Sequence, residues 1–202
     1  MSTASSFESS TSPRLTVAAA APAARTWTID PSHATAGFRV RHLMVSHVRG
    51  HLGPVSGTVF IDEHDPARSR VEVSIDVRGL DSRDPKRDEH LRSADFFDVE
   101  HHPTVTFRST RVEAPRGLSG DVQVAGELTI RGVTRPVTLQ VEPLGPAIQD
   151  PWGNARRGVS ARGRVSRKDW GLTLNLAIEA GGVAVGDEVT LEIDAELVAA
   201  AA

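Results

Sequence analysis

The chain has 202 residues, of which 39% are hydrophobic and 24% are charged, and its formal net charge is −3. This length fits a single domain with a sizeable core. Lys and Arg are scattered among Asp and Glu, so no basic stripe indicates nucleic acid as a partner. The chain has no cysteine, which excludes disulfide scaffolds, thiolate metal sites and cysteine nucleophiles.

The N-terminal segment is rich in Ser, Thr and Ala and has no periodic pattern, so we predict a disordered tail over residues 1–25 and one domain over residues 26–199. Leu15 to Ala24 could be mistaken for the apolar part of a secretory signal. Glu8 precedes this run and Pro22 interrupts it, so we expect a cytoplasmic protein without such a signal. No apolar run approaches the ~20 residues of a membrane-spanning helix, and we expect no membrane span.

From Thr26 onward the main signal is alternation of apolar and polar residues, which places every second side chain on one face of a strand. Gly, Pro, Asp and Asn clusters separate the alternating segments and predict turns. The segments number eight and together predict an all-β antiparallel domain: residues 34–41, 55–61, 71–77, 105–107, 122–130, 137–141, 159–165 and 189–197.

One segment departs from alternation and predicts a short helix from Pro85 to Ala94. Asp84 is suited to cap its first turn, and Pro85 to occupy its first position. Asp88 and Arg92 are spaced to pair at i, i+4. A second helical turn is predicted around Leu43 to His47.

Eight antiparallel strands can stack as a sandwich or close into a barrel, whose interior is either filled or holds one small ligand. The apolar positions are mainly Val, Ala and Gly, a set that looks too small to fill a barrel at normal density. If the strands tilt inward at Ala36, Gly57, Gly126, Ala161 and Gly163, a dry channel lined by methyl groups and suited to a flexible hydrocarbon remains. The alternative is that these glycines are bulges and that the core collapses.

Several longer motifs carry a resemblance to a known family. The blocks HLRSADFF and LTIRGVTRPV are the most specific. With the other matching blocks they cover nearly the whole domain: residues 27–33 (WTIDPSH), 38–43 (FRVRHL), 48–57 (VRGHLGPVSG), 87–97 (RDEHLRSADFF), 126–136 (GELTIRGVTRP), 150–153 (DPWG) and 186–192 (GDEVTLE). On these residues the chain resembles the YceI-like, or polyisoprenoid-binding, family of bacterial proteins.

The resemblance implies an eight-stranded, lipocalin-like antiparallel β-barrel with one or two short helices and a long-chain lipid inside it. The expected ligand is a polyisoprenoid, an isoprenoid quinone or a fatty acyl derivative, and no other cofactor is expected. A homodimer is also implied. Strand parity predicts that the lipid contacts fourteen side chains: Ala36, Phe38, Val40, Val59, Val73, Ile75, Val105, Phe107, Leu128, Ile130, Leu139, Val159, Ala161 and Ile193.

Four further residues are candidates for the mouth of the cavity or for anchoring a head group. His90 and Arg92 lie in the strongest matching block, and the alternative for them is an ordinary helix surface. Trp152 and Trp170 sit beside turn residues, where a ring either caps a barrel end or packs under a loop.

We predict no metal site and no catalytic residue. Among the eight histidines, His101 and His102 are adjacent and point to opposite faces of a strand, which disfavours chelation of one ion. Two other functions stay open from the sequence. One is an enzyme that acts on an isoprenoid or acyl lipid with His90 or another buried histidine as base, and the other is a stress-related scaffold protein.

Overall fold

The computed structural model describes residues 16–17, 24–175 and 184–200, which form eleven strands and one α-helix. The strands in chain order are β1 (Thr16–Val17), β2 (Ala24–His42), β3 (Ser46–His51), β4 (Val55–Asp62), β5 (Arg70–Asp76), β6 (Thr104–Glu113), β7 (Val122–Ile130), β8 (Val133–Val141), β9 (Ile148–Gln149), β10 (Ala155–Ser166) and β11 (Val185–Ala199). Helix α1 spans Pro85–Arg92, and short 3-10 helices span Pro66–Arg68, Val77–Gly79 and Arg167–Trp170.

Eight of these strands close into an antiparallel barrel in the order β10, β11, β2, β4, β5, β6, β7 and β8. Pairing of β8 with β10 completes the ring. β3 pairs with the C-terminal half of β2, while β1 and β9 form a side ribbon on β10. The eight barrel strands coincide with the eight alternating segments, so the predicted fold class is confirmed.

Strand β2 changes its inward-facing parity part-way along its length. Trp27 and Ile29 are buried at odd positions, whereas Ala36 is buried at an even one. A register shift against β11 between Ala195 and Leu197 accounts for the change. β2 advances five residues, from Ile29 to Ala34, where β11 advances two, and this odd excess turns the following side chains over. Pro31 lies within this irregular segment, where its missing N–H costs no regular sheet hydrogen bond.

Two tryptophans close the barrel at opposite ends of β10. Trp27 is buried beside the guanidinium of Arg157, 5.6 Å from the ring centre. Trp170 is 2% exposed, and its Nε1 donates to the carbonyl of Leu128 at 3.1 Å. The core between them consists mainly of Val, Leu and Ile side chains.

The predicted helix forms but is shorter than expected. The Asp84 carboxylate accepts from the backbone N–H groups of Lys86 and Arg87, as the capping pattern predicted. The helix ends at Arg92 and not at Ala94, because Ser93 takes up an extended conformation. The predicted second turn at 43–47 is wrong: residues 43–45 form a hairpin loop and His47 belongs to β3.

Part of the predicted tail is ordered. Thr16–Val17 pairs with β9, and Ala24 and Arg25 already pair with Asp62 and Ile61. These four residues are held by backbone hydrogen bonds, which leave no trace in side-chain periodicity, so the prediction of disorder does not hold for them. Residues 1–15 and 18–23 of the predicted tail lie outside the described residues.

Candidate functional site

A cavity of about 170 Å³ lies inside the barrel and is lined by all eight of its strands. Four residues from the connecting segments complete the lining: Leu52, Ser69, Leu118 and Leu144. The last two belong to different loops, which are joined by a hydrogen bond from the N–H of Leu144 to the carbonyl of Leu118, 2.7 Å long. Thus the cavity extends from the middle of the barrel to the loops at one end.

The lining is almost entirely hydrocarbon. Ser69 is its one polar side chain among the described residues, and its Oγ already accepts from the backbone N–H of Asp62 at 3.0 Å. No titratable side chain occurs in the described lining. Apolar cavities of this kind stay dry. The geometry therefore suits binding of an apolar chain and offers no described titratable group for acid–base chemistry.

Twelve of the fourteen predicted lining residues face this cavity: Ala36, Val59, Val73, Ile75, Val105, Phe107, Leu128, Ile130, Leu139, Val159, Ala161 and Ile193. Their contact with a lipid stays a prediction.

Phe38 and Val40 do not line the cavity. Gly37 is the last residue of β2 that reaches it, and from there β2 runs on into the hairpin with β3. The Phe38 ring lies against Gly50, and Val40 pairs with Val48. The prediction extended the parity of β2 beyond the end of the cavity.

Sequence reasoning missed a second set of lining residues. Alternation did not predict Ile29 as a lining residue because the irregularity in β2 reverses the parity before Ala34. Val112 was missed for the same reason, since β6 shifts register between Ser109 and Arg111. Other missed residues belong to strands that were found from their alternation: Val55, Ile61, Val71, Val122, Val124, Val137, Val141, Leu191, Ala195 and Leu197.

The small wall residues act differently from the predicted open channel. A side chain at Gly126 would meet the Phe107 ring and the carbonyl of Arg108, both 2.5 Å from an added Cβ. At Gly163 the space is taken by Leu139, 2.7 Å from an added Cβ. These two glycines admit large neighbours to the core, as in the collapsed alternative, yet the barrel still keeps its cavity.

None of the four candidate mouth residues lines the cavity. His90 is exposed and contacts Asp95, with Nε2 3.1 Å from Oδ2. Arg92 donates to the carbonyl of Leu80 at 2.7 Å. Trp152 is 80% exposed, whereas Trp170 is buried at the barrel end. Only Trp170 has the position of a cap, and the exposed His90 is not the buried base that the enzyme alternative requires.

A charged cluster outside the cavity was not predicted. Arg156 donates to Asp30 at 2.7 Å, to Asp150 at 2.8 Å and to Glu196 at 2.9 Å. The pKa of both aspartates is lowered to about 2, with the Arg156 guanidinium as the largest cause and neighbouring hydrogen-bond donors adding to it. The carboxylates in turn raise the pKa of Arg156. The motifs WTIDPSH and DPWG thus meet at one arginine.

This cluster also contains the described residues that come closest to a metal-ligand set. Ligand atoms of Asp30, His33 and Glu196 lie within 4.8 Å of one another. The Arg156 guanidinium, however, already donates to both carboxylates. The positive charge that a metal would supply is therefore provided by the protein itself.

No helix among the described residues combines the length and the apolar character needed to cross a bilayer.

Comparison with known proteins places the barrel in a family. A family model described as the YceI-like domain matches residues 27–197. The chain is also 39% identical over 147 residues to a UPF0312 protein of Pectobacterium atrosepticum, across 73% of this chain and 74% of that protein. The chain belongs to the YceI-like family. The resemblance seen in the sequence motifs is thereby confirmed.

Solved structures share the YceI-like barrel. BcnA of Burkholderia cenocepacia matches with a TM-score of 0.69 and 21% identity, covering 83% of this chain and 98% of its own. A polyisoprenoid binding domain from Saccharophagus degradans, implicated in plant cell wall breakdown, matches with a TM-score of 0.61 and 15% identity, covering 86% of this chain and 98% of its own. At these identities the likeness concerns the fold alone.

Proposed function

We propose that this protein binds an apolar lipid chain inside the barrel and sequesters or transports it without chemistry of its own. The expected ligand is a polyisoprenoid, an isoprenoid quinone or a fatty acyl derivative. The observation that carries the proposal is the cavity lined by all eight strands, whose one described polar side chain, Ser69, is already hydrogen bonded. Membership of the YceI-like family and the polyisoprenoid binding domain among the structural relatives support it.

The size of the cavity sets a condition on this proposal. An apolar cavity of ~150 Å³ is known to accommodate benzene, and the cavity here is about 170 Å³. A long chain therefore requires the barrel to widen. Leu139, Leu191 and Ile193 face the cavity and are only half-buried, so part of their apolar surface is free to contact a ligand.

Extraction of the purified protein with organic solvent, followed by mass spectrometry, tests the proposal directly. We expect a long-chain apolar lipid at close to one molecule per chain. In a titration of the extracted protein with fatty acids of increasing length, each added CH2 should tighten binding by up to about fourfold until the cavity is full. Absence of lipid from the extract together with absence of binding in the titration would contradict the proposal.

A double variant that fills the cavity tests whether the lipid binds inside the barrel. Val73→Phe with Leu128→Phe places two rings in the space that the lipid would take, so chain binding should fall at least tenfold. Thr106→Phe with Glu127→Phe adds the same bulk at exposed positions of neighbouring strands and should leave binding unchanged. Equal binding by both double variants would place the ligand outside the barrel.

Two further expectations stay predictions. A homodimer would appear in size-exclusion chromatography with light scattering as twice the mass of one chain. A cytoplasmic location would appear on fractionation of cells that express the native protein.

A further inference from the structure

The hairpin formed by β2 and β3 carries three consecutive exposed apolar residues at its tip. Leu43, Met44 and Val45 are 40%, 49% and 79% exposed. They lie between the last residue of β2 and the first of β3, beyond the part of β2 that lines the cavity. An exposed apolar group at the end of a projecting element is typical of an interaction site.

The backbone conformation of the turn does not require apolar residues at these positions. Leu43 and Met44 have φ values of 48° and 61°, a region that favours Gly, Asn and Asp. A polar turn sequence would satisfy this backbone better and would remove apolar surface from water. The apolar side chains at the tip are therefore explained better by a contact outside this chain than by folding.

Basic side chains surround the tip on one face of the hairpin. Arg39 lies opposite Arg49, and Arg41 lies opposite His47. Like charges in opposite positions of two strands destabilise the pairing. Within the described residues none of the three arginines forms an ion pair. The Nε of Arg39 is buried there without a hydrogen-bond partner.

The electrostatic environment of the hairpin is correspondingly positive. Desolvation of the ring and then the charges of Arg39, Arg41 and Arg49 lower the pKa of His47. A polar pocket of about 520 Å³ beside the hairpin adds Arg83 and Arg87 to this surface. Asp81 and Glu192 also line the pocket, and Arg87 is paired with Asp84 at 3.8 Å, so the excess of positive charge lies on the hairpin itself.

We propose that the β2–β3 hairpin docks on an anionic membrane surface. Leu43, Met44 and Val45 enter the boundary between head groups and acyl chains, and the arginines behind them contact lipid phosphates. Apolar residues next to basic ones match the two layers that a bilayer presents in this order. A second copy of the chain fits the tip less well, because pairing two hairpins would bring their arginines close together.

Flotation of the full chain with vesicles tests this proposal. We expect binding to phosphatidylcholine vesicles that contain about 30 mol% phosphatidylglycerol, weak binding to phosphatidylcholine alone, and a decrease with added salt. Met44→Asn with Val45→Ser should reduce binding at least tenfold, and Asn is compatible with the positive φ at position 44. Arg41→Gln with Arg49→Gln should reduce the preference for phosphatidylglycerol about 25-fold, since each arginine contributes about fivefold.

Arg108→Gln with Arg111→Gln is the matched control. It changes the net charge equally on β6, across the barrel from the hairpin, and should leave flotation unchanged. The cavity-filled variant Val73→Phe with Leu128→Phe should also float like the wild type, which separates docking from uptake of lipid into the barrel. Circular dichroism and thermal melting verify that each variant is folded.

Three results would overturn the proposal. The first is wild-type protein that stays with the unbound fraction in the presence of phosphatidylglycerol vesicles, and the second is hairpin variants that float as well as the wild type. The third is a tip variant that converts a dimer to a monomer and leaves flotation unaltered, which would make a second copy the occupant of the tip.

Discussion

Arg156 joins three acidic residues that are far apart in the sequence. Asp30 lies in the irregular part of β2, Asp150 in the turn before β10, and Glu196 near the end of β11. The same Asp150 carboxylate also accepts from the backbone N–H groups of Trp152 and Asn154. The arginine therefore fixes the DPWG turn against the wall of the barrel.

This cluster predicts a loss of stability in acid. The folded-state pKa of Asp30 and of Asp150 is about 2, below the value of ~3.9 for an unfolded aspartate. Their contribution is therefore fully present above pH ~4 and is lost as the pH falls toward 2. The melting temperature of the wild type should therefore decrease steeply as the pH is lowered from about 5 to about 2.

Arg156→Gln tests the origin of that decrease. Without the guanidinium the pKa of both aspartates should rise toward the unfolded value, so the melting temperature of the variant should depend less on pH over the same range. An unchanged pH profile in the variant would show that other carboxylates cause the acid sensitivity.

Gly126 and Phe107 predict a large effect from a single methyl group. An added Cβ at Gly126 would lie 2.5 Å from both the Phe107 ring and the carbonyl of Arg108. Gly126→Ala should therefore destabilise the protein by about 1–3 kcal/mol, measured by urea unfolding. Gly158→Ala is the control, because nothing lies within 4 Å of an added Cβ there. Equal unfolding midpoints for the two variants would contradict this prediction.

The strands were predictable because each has one face in the core and one in solvent. Val71 to Val77 illustrates this, since alternation alone located β5. What alternation could not locate were the changes of parity at Ile29 and Val112. Each follows from an irregularity in pairing with a neighbouring strand, and such pairing is not encoded in the local pattern.

Helix α1 shows the same division between local and distant information. Its cap at Asp84 is a local interaction and was predictable. The predicted pair of Asp88 with Arg92 is wrong. Asp88 accepts from the N–H and the Oγ of Ser82, while Arg92 donates to the carbonyl of Leu80. Both partners belong to the segment before the helix, and their preference over i, i+4 pairing depends on how the helix docks.

The Asp88 interaction predicts a specific weakness. Asp88 is buried, and its loss would leave the N–H and hydroxyl of Ser82 without their acceptor. Asp88→Ala should therefore destabilise the protein by about 1–3 kcal/mol in urea unfolding. Glu89→Ala removes a neighbouring exposed carboxylate of the same helix and should change stability by less than about 0.5 kcal/mol. A similar loss in both variants would mean that helix charge matters and the Ser82 contact does not.

The cavity as a whole could be predicted in kind but not in extent. Twelve wall positions followed from parity, whereas Leu118 and Leu144 lie in loops without a periodic signal. The volume depends on pairs such as Phe107 with Gly126, where a small residue admits a large neighbour. The number of small residues along the strands therefore indicates that the barrel contains a cavity but does not give the volume of that cavity.

A ligand in this cavity should stabilise the whole molecule. Binding to the folded state alone contributes about 2.7 kcal/mol when free ligand is at ~100 times its Kd. For a domain of this size that corresponds to a rise in Tm of about 5–10 °C. Calorimetry of extracted and reloaded protein measures the shift, and the cavity-filled variant Val73→Phe with Leu128→Phe should show none. Equal shifts in both proteins would indicate binding at the surface.

The closure of the barrel differs in strength around its circumference. β10 pairs with β11 from Arg156 to Ser166, but with β8 through Val141 and Gln140. Separating β8 from β10 breaks fewer backbone hydrogen bonds than separating β10 from β11, so local opening should begin at this short seam. Amide hydrogens at the β8–β10 seam should then exchange faster than those between β10 and β11. The short β8–β10 seam is therefore the place where we expect the barrel to open if a ligand requires a wider cavity.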